Sequence, residues 1–486
     1  MDLRDSALKL LLRPYPSYKP SGVQWMGDVP VHWSTRPLKR WVAMNAEVLP
    51  ETTTPDREFH YLEIGSVGTG TLVQKPKRLR FGTAPSRARR VVRRGDTIVS
   101  TVRTYLKAVY FVEGLPEELV CSTGFAVLTP RNGAAPKYVS YLAQSNAFTD
   151  RVTADSVGVA YPGIAETRLG SFHVAVPPFP EQSAIVRYLD HVDRRIRKYI
   201  RAKQKLIALL NEQKQAIIHR AVTGQIDVRT GKPYPMYKPS GVPWLGDVPE
   251  HWEVRRLKTL LRPVDVRSTT GTEVLLSLRR DHGVVVYSEH FARPAQAATL
   301  VGFKLARTGQ IVVNRMQANN GLIFCTQLDG LVSPDYSVFD TRTPLDPDFL
   351  SGQLRTPTYR THFRRVAKGL GTGTSGFLRL YDDELLNTPV ALPQMGEQQE
   401  ILRWTRARTA TADIQIGQIQ RQVEVVREYR TRLVADVVTG KLDVREAAAN
   451  LPEEIEEADE PEVAEETETP DDQAEDREEG GGVNDA

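Results

Sequence analysis

This 486-residue chain has little that would staple or anchor it. It holds two cysteines, Cys121 and Cys325, too few for a disulfide framework, and they read as reduced, buried thiols. No apolar run approaches the roughly 20 residues of a membrane span, and the charged opening MDLRDSALKLLLRPYP is a poor secretory signal. The expectation is a soluble, cytoplasmic protein. No G-x-x-x-x-G-K-S/T loop is present to cradle a nucleotide phosphate, and no H-E-x-x-H or C-x-x-C pair to hold zinc. VPPF at 176–179 has valine where an amino-methylating box needs a group that bonds the target amine. The glycines of GSVGTG at 65–70 and GLGTG at 369–373 lack a strand-then-helix context and read as turns. The nine histidines do not cluster, and His32 and His251 beside Trp33 and Trp252 read as packing elements.

What the chain does have is itself, twice. YKPSGVQWMGDVPVHW runs from Tyr18 to Trp33, and YKPSGVPWLGDVPEHW from Tyr237 to Trp252, 219 residues later. EQSAIVRYLD at Glu181 leads to VTGQIDV, and EQQEILRW at Glu397 leads to VTGKLDV, at an offset of 216. Between these islands lie two divergent inserts, 35–176 and 254–392. Both are strand-rich, with β-branched runs such as DTIVSTV and QIVVNRM set between Gly, Pro and Asn turns. Weak parallels link them: Gly95 with Gly309, Ser122 and Phe125 with Ser333 and Tyr336, Pro136 with Pro347. Helices are predicted over 136–151 and 347–366. The inserts read as one α+β fold with diverged surfaces.

From Glu181 and Glu397, apolar residues recur at spacings of three and four. Ile185, Leu189, Ile196, Leu210 and Ile217 mark one stripe, and Ile416, Ile419, Val423, Val426 and Leu433 the other. Each pattern follows prolines and stops at a glycine suited to a C-cap, Gly224 or Gly440. About 41 helical residues would span about 60 Å, a length that wants a partner helix. The two helices match in length and can pair with each other. Lys203 stands in the first stripe where Ile419 stands in the second, either as a register-setting polar group or as a lysine snorkelling to solvent.

The net charge of +4 conceals an asymmetry. Residues 453–486 contain 17 acidic groups and one basic group, so the preceding chain carries 63 basic against 43 acidic groups, a net +20. That excess points to a polyanionic partner. The acidic end, 447–486, has too little apolar content to fold and is expected to be disordered, either as solvated ballast or as a shield over a basic groove.

Loops rich in groups that contact DNA follow matching strands. The first insert has Arg103, Thr104, Tyr105 and Lys107, and the second has Arg315, Gln317, Asn319 and Asn320. Arginine can grip guanine through O6 and N7, and Asn or Gln can grip adenine. A second loop precedes each long helix, with Tyr161 in the first and Lys368 and Thr374 in the second. The run from Lys75 through Lys77 and Arg78 to Arg90 adds an electrostatic candidate.

The doubled YKPSG-x-x-W-x-G-DVP-x-HW segments, each followed by R-x-LK, and the doubled P-x-x-x-EQ starts and VTG-x-x-DV ends resemble the specificity subunit of type I restriction–modification systems. The resemblance covers about residues 15–446. It implies two globular target-recognition domains separated by two long antiparallel, coiled-coil-like helices in a pseudo-two-fold repeat. The resulting division is 1–34 for the opening segment, 35–176 for the first recognition domain and 177–228 for the first long helix. Residues 229–253 then form the second opening segment, 254–392 the second recognition domain, 393–446 the second long helix, and 447–486 the tail. The resemblance further implies a non-catalytic subunit that reads a bipartite, asymmetric site on double-stranded DNA. It would dock two copies of an adenine methyltransferase subunit, with restriction subunits added. S-adenosylmethionine, ATP and magnesium would belong to those partners, with none bound by this subunit. The readings left open are a coiled-coil adaptor with two protein-binding domains and a stand-alone DNA-modifying enzyme.

Overall fold

Each insert is closed at its base by an antiparallel pair of short strands, Ser34–Pro37 with His173–Val176 in the first and Glu253–Arg256 with Pro389–Leu392 in the second. The chain therefore enters and leaves each insert at one place. The computed structural model describes residues 12–23, 25–114, 118–131, 133–158, 161–280, 282–291, 297, 299–342, 345–370 and 377–452. Of these, 12–204 with 420–452 form one compact unit and 205–419 the other, so each long helix contributes to both.

In the first unit, a four-stranded antiparallel sheet runs Val42–Met44, Phe125–Pro130, Thr97–Ser100, Val109–Phe111. The second unit repeats that order with Leu261–Val264, Tyr336–Thr341, Ile311–Asn314 and Ile323–Cys325. The parallels seen in sequence are structural equivalences. Phe125 pairs with Ser100 as Tyr336 pairs with Asn314, and Gly95 and Gly309 both take positive φ, +94° and +88°. The first insert adds a four-stranded sheet containing the parallel pair Glu58–Leu62 and Leu119–Ser122. The second has two-stranded ribbons there. The architecture is α+β.

The helices expected over 136–151 and 347–366 are each two helices. Pro136–Gln144 breaks before Asn146–Ala154, where the Ser145 side chain caps the Phe148 N–H, and Pro347–Leu354 breaks before Pro357–Val366. Prolines at first-turn positions begin new helices rather than continuing old ones.

Both long helices have 44 residues, Phe179–Val222 and Met395–Val438. Both end at left-handed glycines, Gly224 at φ +73° and Gly440 at φ +80°, and the N–H after each glycine reaches back to Arg220 or Asp436. In the first unit Arg430 clamps the buried Asp193 at 2.9 and 2.7 Å, and Tyr199 donates to Gln422 at 3.4 Å, so the two helix portions run antiparallel. In the second unit Lys214 pairs with Asp413. Ile185, Leu189, Ile196, Val423 and Leu433 are buried in the first unit, and Ile419 in the second. Val426, Leu210, Ile217 and Ile416 are only half-buried, because two helices alone cannot cover a whole apolar stripe. Lys203 lays its ammonium 5.2 Å from the Tyr199 ring centroid, one turn away on the same helix.

The repeated islands meet at a glutamate. In the first unit Glu181 accepts from the Tyr15 hydroxyl at 2.6 Å and the Trp33 indole N–H at 3.0 Å, and bonds His32 at 2.8 Å. In the second, Glu397 takes Tyr234 at 2.6 Å, Trp252 at 3.2 Å and His251 at 2.7 Å. The adjacent glutamine holds the insert. Gln182 accepts from the Ala135 N–H at 2.8 Å, and Gln398 from the Asp346 N–H at 3.0 Å, both just before the proline-led helix. The Glu–Gln pair at each helix start is thus a junction between frame and insert. Each C-cap glycine lies against the opening segment. A Cβ on Gly224 would stand 2.6 Å from Pro249, and one on Gly440 would collide with Pro30.

The opening segment of the second unit follows its helix end directly, with Asp227 bridging Lys232. In the first unit the equivalent bridge joins Asp443 to Arg13, and the Tyr18 hydroxyl donates to the Lys441 carbonyl at 3.3 Å. The predicted tail starts too early: Arg445–Ala449 is a helix with Ala448 buried, and the acidic run 453–486 lies outside the described residues. Cys121 is buried while Cys325 is only partly so; both are free thiols, and burial pushes each up to about 12. No helix among the described residues is long and apolar enough to cross a membrane.

Candidate nucleic-acid interface

The buried strand Thr97–Ser100 delivers the chain to a short turn of 3-10 helix, Thr104–Leu106. Arg103 and Lys107 flank it, both left-handed at φ +49° and +48°. Such backbone is costly for residues with side chains and persists where surrounding contacts enforce it. The result is a sharp outward knuckle. Tyr105 is 54% and Leu106 45% exposed, and Arg103 is exposed beside them. The Arg103 guanidinium sits 4.9 Å from the ring centroid of Tyr161, itself 68% exposed. That second loop is tied to the knuckle through the Ile164 N–H, which donates to the Thr101 carbonyl at 2.8 Å. A guanidinium resting on an aromatic face keeps its N–H edge free for acceptors in one plane.

Two predicted contacts on this turn point elsewhere. Thr104 is buried, its hydroxyl 2.7 Å from that of Ser156. Lys107 is half-buried and ion-paired with Asp150 at 2.6 Å. In a 3-10 turn alternate residues cannot all face outward, and composition alone does not say which do.

The second unit repeats the geometry with different chemistry. Its turn is Ala318–Asn320, and the Leu380 N–H donates to the Arg315 carbonyl at 2.9 Å, as Ile164 does to Thr101. Here Arg315 and Gln317, both expected to contact DNA, are bonded within the chain. Arg315 donates to the Asp335 carbonyl at 2.5 Å and lies 3.4 Å from its carboxylate, which Arg379 also holds at 2.8 Å. Burial, then Arg379, holds the Arg315 guanidinium below its usual range. Gln317 is 8% exposed and accepts from the Asn320 amide at 2.5 Å. Asn314, buried, accepts from the Met316 and Gln317 N–H groups at 3.0 and 3.2 Å and so shapes the turn. Asn319 and Asn320 are half-buried, with the Asn319 carbonyl accepting from Arg360 at 3.3 Å. Lys368 is exposed, 3.3 Å from Glu384. Thr374, with Thr372 and Ser375, lies outside the described residues. Sequence reading missed Arg379 and Tyr381, whose ring is 5.7 Å from the guanidinium and 38% exposed. The RLY string straight after the glycine-rich loop was their only signal.

Residues 92–207 match the family model of the type I restriction modification DNA specificity domain. That stretch contains the knuckle, the Tyr161 loop and the Glu–Gln junction. That stretch is a type I DNA specificity domain. The fold is also that of a chain from a structure of complex assembly and conformational transition of the type I R-M system. The two share 20% identity over 84% of this chain and 98% of that one, with a TM-score of 0.55. Two more solved structures are similar: the HsdS subunit from Thermoanaerobacter tengcongensis (20% identity, 85% and 98% coverage, TM-score 0.39) and the type I restriction–modification S subunit from M. genitalium (12%, 84% and 96%, 0.32). No curated protein matches the chain.

The basic strip is less free than its composition suggests. Lys75, Lys77 and Arg78 are exposed, but Lys77 lies 3.3 Å from Glu63, and Arg78 and Arg80 share Glu58. Hydrogen bonds from Arg80 and Arg78 hold the Glu58 carboxyl below its ordinary value. Arg90 is buried and bonded to Glu166, which also accepts from Asn45 at 2.5 Å. Cross-strand pairing between Glu58–Leu62 and Lys77–Arg80 sets these opposite charges face to face.

Proposed function

We propose that this chain is the non-catalytic DNA specificity subunit of a type I restriction–modification complex. Its two recognition domains, 35–176 and 254–392, read the halves of a bipartite, asymmetric site in double-stranded DNA. Two long antiparallel helices separate them in a pseudo-two-fold frame. Two methyltransferase subunits dock on that frame and restriction subunits join them, in the cytoplasm. S-adenosylmethionine, ATP and magnesium act in those partners, and this chain binds none of them.

The observation that carries the reading is the contrast between the duplicated clasps and the unlike outward turns. Glu181 and Glu397 hold identical partners, while the knuckle at 103–106 exposes Arg103, Tyr105 and Leu106 and its counterpart turn offers only the half-buried Asn319 and Asn320. One frame with two chemistries suits a reader of two different sequences. The test is methylation mapping of a host genome with and without the gene, paired with DNA affinity across a salt series. Loss of adenine methylation at one bipartite motif and a steep salt slope are expected. No lost motif, with salt-independent or absent DNA binding, overturns the reading in favour of an adaptor.

A further inference from the structure

The clasps around Glu181 and Glu397 and the glutamine contacts beside them are the same in both units, so they do not distinguish one recognition domain from the other. One contact between insert and long helix does. Pro136 and Pro347 begin equivalent helices, which makes Lys137 the counterpart of Asp348. Glu181 and Glu397 begin equivalent repeats, which makes Asp190 the counterpart of Arg406. Lys137 lies 3.0 Å from Asp190, and Asp348 lies 2.8 Å from Arg406. The same two positions touch in both units with the charges exchanged.

We propose that this reversed ion pair assigns each recognition domain to its own long helix. Lys137, Asp190, Asp348 and Arg406 act as positioning residues that disfavour the exchanged arrangement. With the second domain in the first place, Asp348 would face Asp190. With the first domain in the second place, Lys137 would face Arg406. Like charges in contact repel where opposite charges attract, and such pairs give specificity even where their net contribution to stability is small.

The surroundings support the assignment. Asp190 is the least exposed of the four, its side chain at 18%, and also accepts from the Tyr141 hydroxyl at 2.6 Å. The second insert has Gly352 at the position of Tyr141 and so brings no such donor. Lys137 is bracketed by Asp190 and by Glu113 at 3.1 Å, and these two outweigh burial to hold its ammonium above the ordinary value. Gln327, neutral, stands where Glu113 would in the second insert. An exchanged second domain would therefore leave Asp190 against a carboxylate, without the Tyr141 hydroxyl or the Lys137 ammonium.

The test is thermal unfolding of the full chain and needs no DNA, so its failure is separate from failure of the functional reading. In the natural chain Asp190→Arg lowers Tm, by on the order of 3 °C. In a chimera whose 35–176 segment is replaced by a second copy of 254–392, the same substitution raises Tm, because it rebuilds the Asp348–Arg pair. A double-mutant cycle in the natural chain provides the second arm. D348K and R406D each lower Tm, and D348K/R406D recovers at least half of the combined loss, less so in 1 M salt. The assignment is overturned if D190R lowers Tm in both backgrounds or leaves the chimera unchanged. If the chimera does not fold, the cycle decides alone, and a double variant as unstable as the two losses added together overturns it.

Discussion

The indole N–H of Trp33 donates to the carboxylate of Glu181 at 3.0 Å, across 148 residues of sequence. That carboxylate is almost enclosed, its side chain 5% exposed, and it also takes the Tyr15 hydroxyl and His32. Removing it strands several donors where water cannot easily reach them. Glu181→Ala is therefore expected to cost about 2–4 kcal/mol. Denaturant unfolding with a fitted midpoint measures this, and a loss below about 1 kcal/mol would mean the clasp is dispensable.

Glycine substitutions should change sign with position. Gly440 combines φ +80° with a Cβ direction that runs into Pro30, so Gly440→Ala should lose about 2 kcal/mol or more. Gly417 sits inside the second long helix with open space around it, so Gly417→Ala should gain up to about 1 kcal/mol. Paired melting curves of the two variants check the contrast.

At the first knuckle, Arg103→Ala should weaken binding of a DNA carrying the recognised site by roughly 10-fold or more, with no change in Tm, since the side chain is exposed. Thr104→Ala should do the reverse, lowering Tm through loss of the Ser156 contact and leaving DNA affinity intact. Fluorescence anisotropy and melting on the same samples separate the two.

In the second domain, Arg315→Ala should lower Tm, because it releases the Asp335 carbonyl and leaves Arg379 as the sole guanidinium on that carboxylate. Any loss of DNA binding should follow unfolding. A variant that melts normally yet accepts altered bases at one half-site would return Arg315 to the reading face.

Acid should weaken the chain before its carboxylates titrate. Burial holds His219, and burial with Arg365 holds His362, below the ordinary imidazole value of 6.5. The unfolded chain then takes up protons first. The stability these groups contribute is fully present above 6.5 and is lost as pH falls through their lower folded values. His362 stacks on Trp244 at 4.2 Å between ring centroids. Tm measured from pH 7.5 down to 5 should fall, and His362→Gln should flatten part of that slope.

The frame was legible in the sequence because it is written twice. Repetition fixed the helix ends at Gly224 and Gly440 and the equivalence of Gly95 with Gly309 without any contact being known. The role of Glu181 was not legible, since Tyr15, His32 and Trp33 lie some 150 residues before it and spacing carries no information across a folded insert. The turns after the matching strands were legible as places, but which of their side chains stand exposed was not. A turn of Asn, Gln and Arg looks the same whether its polar groups face outward or are spent within the chain, Asn314 and Arg315 on backbone groups and Gln317 on the Asn320 amide.

The opening strand of the first unit meets Lys441 through Tyr18, a separation of 423 residues, while Tyr237 of the second meets Gly224 across 13. Equal contacts thus close loops of very unequal size, and the larger loop forms later. On the ribosome the Tyr237 contact can close as soon as the first helix end and the second opening segment have emerged. The Tyr18 contact must wait until nearly the whole chain has been made. Pulse-labelled amide exchange during refolding should find the Asp227 N–H, bonded to Lys232, protected ahead of the Asp443 N–H, bonded to Arg13. Until that far helix end arrives, Tyr18 stays without its Lys441 partner, and the first opening segment is at its most open to aggregation.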